Sequence, residues 1–158
     1  MEFDDFLAPV HGVFNVEEAL AGWRWLVPQP LKALVMTAAG DLFLRDESGT
    51  VFFLDTVEGR CEEVAASVDE WQEKLDDEEL FNQWFLPGLI ADLRESKPLA
   101  HGQCYSPMHA PVLGGSFDAA NWQPVDWLVH LSHSGRLHEA IKDLPPGTKI
   151  TGIHYTEL

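Results

Sequence analysis

The residues best able to do chemistry lie in one stretch. His101, Cys104 and His109 stand at H-x2-C-x4-H spacing, and His130, His133 and His138 follow closely. Two chemistries suit such a set. Imidazole and thiolate ligate zinc or iron, and a Cys-His pair forms a nucleophile with its base. A zinc site needs about four convergent donors and usually contains a tight C-x2-C or H-x3-H pair, and neither pair is present. His138-Glu139 begins like H-E-x-x-H, but position 142 is Lys, so the second ligand is missing. Cys104 has no basic residue nearer than Lys97 and no helix start beside it to lower its pKa. Walker, G-x-G-x-x-G and G-x-S-x-G motifs are absent, and Gly114-Gly115 lacks a third glycine. The residues therefore predict no catalytic site, no metal and no cofactor. An enzyme built on Cys104, His101 and His109 remains the alternative.

These residues sit in Leu99 to Phe117, a stretch punctuated by Gly and Pro and without hydrophobic period, which predicts a long irregular loop. The elements around it are easier to read. Phe3, Phe6, Leu7 and Val10 follow helical spacing and predict a short preface helix. Asn15 stands three residues before Glu18, a cap pattern that opens a helix running to Pro28. Four β-prone runs follow at 31–37, 41–46, 50–55 and 60–65, joined by turns too short for anything but antiparallel neighbours. The middle two runs, with Phe43 and Phe53 at their centres, are apolar on both faces and must be covered twice.

Ser67-x-x-Glu70 is a capping box, Asp76 to Glu79 suits a second helix start, and Pro87 suits a third. Val125, Trp127, Val129 and Leu131 alternate, which predicts a strand over 121–131. Ser134-Gly135 reads as a turn, residues 137–144 as a short helix and 148–155 as a last strand. The six tryptophans fall mostly on apolar stripes and read as packing residues. The fold class is α+β, a single domain over 1–158 with an antiparallel β meander covered by helices.

Charge narrows the partners. The net charge is −16, from 26 acidic and 10 basic residues. Residues 1–96 hold −15 of it and 97–158 only −1. Phosphate recognition draws on Lys and Arg, so neither nucleic acid nor an anionic membrane is expected as a partner. A basic protein would be steered toward the first two-thirds. The start MEFDDF places acids where a signal peptide needs basic residues, which predicts a cytoplasmic location. In that compartment Cys61 and Cys104 are expected as free thiols.

Six strings occur together in order: GDLFLRD (40–46), VFFLD (51–55), WFLPGLIADLR (84–94), GQCYS (102–106), PVLGGSF (111–117) and HEAIKDLPPGTKI (138–150). On these, residues 20–150 resemble the C-terminal domain of immunity proteins that protect type VI-secreting bacteria against their own DNase effectors, a domain first catalogued as one of unknown function. Two-part members of that family carry an N-terminal domain resembling a GAD module. With residues 1–19 alone ahead of the match, the resemblance implies a stand-alone relative. It implies an inhibitor that binds and occludes a cognate toxin, most often a nuclease, without chemistry of its own. The acidic side chains assigned to that contact are Glu62, Glu63, Asp69, Glu70, Asp76, Asp77, Glu78 and Glu79. The loop at 99–117 then reads as a packed connection, with partner contact elsewhere or at its rim. A structural or regulatory oligomer built on an exposed β edge is a third reading.

Overall fold

In the computed structural model, which describes residues 1–145, 147 and 148, the four β-prone runs form one antiparallel sheet in chain order. Its strands are β1 (Lys32–Met36), β2 (Leu42–Arg45), β3 (Val51–Asp55) and β4 (Arg60–Ala65). Gly40, Gly49 and Gly59 take positive φ in the tight connections, the region that glycine enters without steric cost. Side chains alternate along β2 and β3 and so serve two cores. Phe43, Val51 and Phe53 point to one side with Trp71, Trp84, Phe85, Ile90 and Leu93. Leu42, Leu44 and Leu54 point to the other with Leu20, Trp23, Val27 and Leu131. Phe43 is the hub of the first core, with ring centroids 4.7 to 5.7 Å from Phe53, Trp71, Trp84 and Phe85.

The helices follow their caps. Asn15 accepts from the Glu18 amide at 3.0 Å and opens α1 (Val16–Leu20). Ser67 accepts from the Glu70 amide at 3.1 Å and opens α2 (Val68–Lys74). Asp77 does the same for Leu80 at the start of α3 (Glu78–Phe85), and Pro87 begins α4 (Pro87–Ser96). Helices α2, α3 and α4 cover one face of the sheet, and α1 lies in the core on the other. The fold is α+β, and five of the six tryptophans are buried.

Four expectations need correction. Residues 3–10 make only a 3-10 turn at Phe3–Phe6 and then extend along β1, where the Ala8 amide donates to the Met36 carbonyl and that of Ala38 to Phe6. The unpaired edge of β1 outcompetes a short isolated helix. The helix after Asn15 stops at Leu20 and tightens into a 3-10 turn, Ala21–Trp23, against Leu131. The loop at 99–117 contains β5 (Gln103–Pro107), paired antiparallel with β6 (Trp122–Asp126). Cys104 and Tyr105 are both buried, one in each core, so this strand lacks the alternation that marks a half-exposed one.

The fourth correction is the largest. The strand expected over 121–131 ends at Asp126, whose carboxylate accepts from the amides of Leu128 and Val129 and starts α5 (Trp127–Ile141). Ser134-Gly135 lies inside that helix. A Cβ on Gly135 would strike the backbone of Gly22, so glycine there lets α5 lie against the Ala21–Trp23 turn. The last strand expected, over 148–155, falls outside the described residues from 149 onward.

Candidate functional site

Along α5, Trp127, His130, Leu131 and His138 repeat at helical spacing and face inward. Gly40 and Gly59 make room for the two imidazoles, since a Cβ at either would fall on the ring of His130 or His138. Nε2 of His138 donates to the Thr56 carbonyl at 2.9 Å. Nε2 of His130 faces the Gly40 carbonyl at 3.2 Å, which can only accept, so the proton is on Nε2 and Nδ1 accepts from the Ser106 hydroxyl at 2.8 Å. The same Nε2 lies 3.2 Å from Thr56 Oγ1, which in turn donates to Asp41 Oδ1 at 2.7 Å. One polar chain thus ties β5, α5, the turn after β3 and the start of β2.

A serine hydroxyl on an imidazole is the beginning of a nucleophilic unit. Here burial holds the His130 pKa down to about 4, which disfavours the imidazolium that a general base must become. The cleft beside it, lined by Pro107, Ala110, Pro111 and His133, measures about 40 Å³, enough for a water or two. The arrangement suits a clamp between elements.

On the far side of Val57 a larger cleft, of about 190 Å³, opens between the β3–β4 turn, the α3–α4 junction and Phe117. Asp41, Asp55 and Glu58 line it, with Gln83, Leu86 and Arg60. Asp55 shapes its own turn by accepting from the amides of Val57 and Glu58, both at 3.0 Å. Leu86, at the joint of two helices, has φ 49°, a left-handed conformation that costs a non-glycine residue about 1 kcal/mol. Phe117 is stacked on Trp122 at 6.0 Å and is 48% exposed at the rim. Burial first, and then the charge of Asp55, raise the Asp41 pKa well above the ordinary carboxylate range; burial also raises that of Asp55.

The wider depression between α1 and β1–β2, about 420 Å³, mixes Lys32 and Arg45 with Glu17, Asp46 and Glu47 and lacks a buried polar group among its described residues.

The histidines and cysteine singled out in the sequence do not converge. Nε2 of His101 bonds the His11 carbonyl at 2.7 Å, and Nε2 of His109 bonds that of Leu113 at 2.8 Å. Cys104 is buried in the apolar core with Trp127, where burial raises its thiol pKa well above the usual value. Among the described residues no three His, Cys, Asp or Glu side chains gather as a metal site would require. The acidic residues are spread over β4 (Glu62, Glu63), α2 (Asp69, Glu70) and the start of α3 (Asp76 to Glu79), all solvent-facing except Glu70, which is half-buried. Three of them have local duties. Glu62 pairs with Arg60 at 3.7 Å, Glu70 pairs with Lys74 at 3.2 Å and accepts from the Ala66 amide, and Asp77 caps α3. Sequence reasoning missed Asp41, Asp55 and Phe117 because they are remote in sequence and meet only through the packing of the sheet.

Residues 65–138 match the model of a family described as T6SS immunity protein Tdi1, C-terminal. The chain is also similar to a solved protein described as Atu4351 from Agrobacterium tumefaciens, with 26% sequence identity and a TM-score of 0.54 over 76% of this chain. It spans only 60% of the length of that structure. No curated protein matches the chain. Among the described residues no helix is long and apolar enough to cross a membrane.

Proposed function

We propose that this chain, whose residues 65–138 match the model of the Tdi1 immunity protein C-terminal family, binds a cognate type VI effector in the cytoplasm and neutralises it by covering its active surface, with no catalysis, metal or cofactor of its own. The family match is the observation that carries this reading. The effector we favour is a nuclease, because a surface built to receive DNA is electropositive and the net charge here is −16. Asp69, Glu70 and Asp76 to Glu79 fall inside the matched segment, and Glu62 and Glu63 fall just outside it. On β4, α2 and α3, and solvent-facing apart from the half-buried Glu70, they would steer the encounter more than set the final affinity.

The test is co-expression with the effector encoded by the neighbouring gene, followed by stopped-flow association of the purified pair. The chain should restore growth and bind. Reversing Asp76, Glu78 and Glu79 to Lys, with Asp77 kept to cap α3, should slow association about tenfold or more at low salt and much less at high salt. An unchanged rate would remove that stretch from the encounter surface, and no binding by the wild-type chain would end the immunity reading.

A further inference from the structure

We propose that the hairpin loop between β5 and β6, residues 108–121, is the apolar anchor by which this chain grips the protein it neutralises, and that it seats in an apolar pocket with a basic rim. The inference rests on the immunity reading and names a contact apart from the acidic residues assigned from the sequence.

The first observation is what the loop displays. Met108, Val112 and Phe117 are 56%, 43% and 48% exposed, three of the eight large apolar side chains left in solvent among the described residues. They stand in a run, 98–117, without one Asp, Glu, Lys or Arg, in a chain that is 23% charged. Interface cores have this composition, depleted in charge and enriched in Met and aromatic side chains.

The second is that the loop is held in shape from within. The Met108 amide donates to the Asn121 carbonyl at 2.7 Å and closes it. The Asn121 side chain accepts from the His109 amide at 3.0 Å and donates to the His109 and Ser116 carbonyls, both at 2.9 Å. Lys97 turns its ammonium inward, to the Ala119 and Trp122 carbonyls at 3.2 and 2.8 Å. A Cβ on Gly115 would strike the His109 carbonyl, so the two limbs of the loop meet as closely as backbone allows. A loop ordered in this way has little conformational entropy left to lose on binding. A mere connection has no need to fix three apolar side chains in water.

The occupant follows from charge. Asp118 adjoins Phe117, and Asp55 and Glu58 line the cleft that Phe117 borders, where Arg60 is the one cation among the described residues. This rim is negative and complements a basic partner. A second copy would bring the same acids and a net charge of −16 against its like, and an anionic bilayer would find no cation displayed by the loop.

The experiment measures binding of the purified neighbouring-gene effector to the full chain, to Met108→Ala/Val112→Ala and to the triple variant that adds Phe117→Ala. Stopped flow is run at low and high salt, with urea unfolding and sedimentation of each free chain. Apolar contacts form after the encounter, so the loss should lie in dissociation, about tenfold faster for the double variant and a hundredfold or more for the triple. Association should stay within about threefold of wild type, and the loss should be the same at either salt. The double variant trims side chains that face water, so its unfolding midpoint should match the wild type, which separates lost contact from lost fold. If the wild type binds and both variants dissociate at its rate, the anchor is wrong and the immunity reading stands. A loss confined to association at low salt would also overturn it, as would a wild-type chain that is dimeric alone and a triple variant that is monomeric, which makes a second copy the occupant. If the wild type does not bind the effector, both readings fall.

Discussion

Gly135 offers a sharp test of how α5 is seated. In an exposed helix interior, Gly→Ala stabilises by about 1 kcal/mol, because alanine loses less backbone freedom. At Gly135 the added methyl would meet Gly22 backbone atoms, its carbonyl carbon at 2.8 Å, and the Trp23 indole nitrogen at 3.1 Å. Backbone cannot swing aside, so α5 must lift from the Ala21–Trp23 turn. Lifting strains the buried bond from Trp23 Nε1 to the Leu131 carbonyl, now 3.0 Å. Overpacking costs about 1–3 kcal/mol and a compromised buried hydrogen bond about 1–3 more. After the propensity gain, a net loss of about 2–3 kcal/mol remains, or a fall in Tm of about 5–10 °C for a chain of this size.

Gly88, in the first turn of α4, is the control. No atom lies within 4 Å of its Cβ position, so Gly88→Ala should gain about 0.5 kcal/mol. Thermal and urea unfolding of both variants decides the matter. If Gly135→Ala is as stable as the wild type, the close approach of α5 to Gly22 is not real.

Two further outcomes follow from the buried titratable groups. His130 has a folded pKa of about 4 against about 6.5 unfolded, so the unfolded chain takes up its proton first as pH falls. The stability from keeping the ring neutral is complete above pH 6.5 and is lost progressively toward pH 4, by about 3 kcal/mol. Asp41, raised by burial, acts in the opposite sense at the acid end. The His130 contribution is therefore read as the difference in pH dependence between wild type and His130→Asn, and equal slopes between pH 6.5 and 4 would refute it. The thiols make a simpler case. Burial raises Cys61 to about 11 and Cys104 well above its usual value, so a thiol-exchange reagent at pH 8 should find no fast-reacting group until urea is added, when both react. A fast native thiol would contradict the burial.

Much of this protein is legible along the chain. The four-strand meander follows from β-prone runs separated by three or four residues, since such connections allow only antiparallel neighbours. Asn15, Ser67 and Asp77 mark their helix starts because each side chain accepts from an amide three residues on, and Pro87 marks its own because a first-turn residue needs no N–H donor. The charge division is a matter of counting. What is local in cause is readable in sequence.

The tertiary structure decided the rest. Residues 127–131 satisfy both a strand's alternation and a helix's stripe, and the cap by Asp126 together with the fit of Gly135 on Gly22 selects the helix there, while 125 and 126 stay in β6. That choice turns His130 and His138 inward, from candidate ligands to buried struts held by Gly40, Thr56 and Ser106. Asp41, Asp55 and Phe117 share a cleft although Asp41 and Phe117 are separated by most of the sheet and three helices. No period or spacing encodes such a meeting, because it depends on how elements remote in sequence pack, and packing is where the chain's local rules stop.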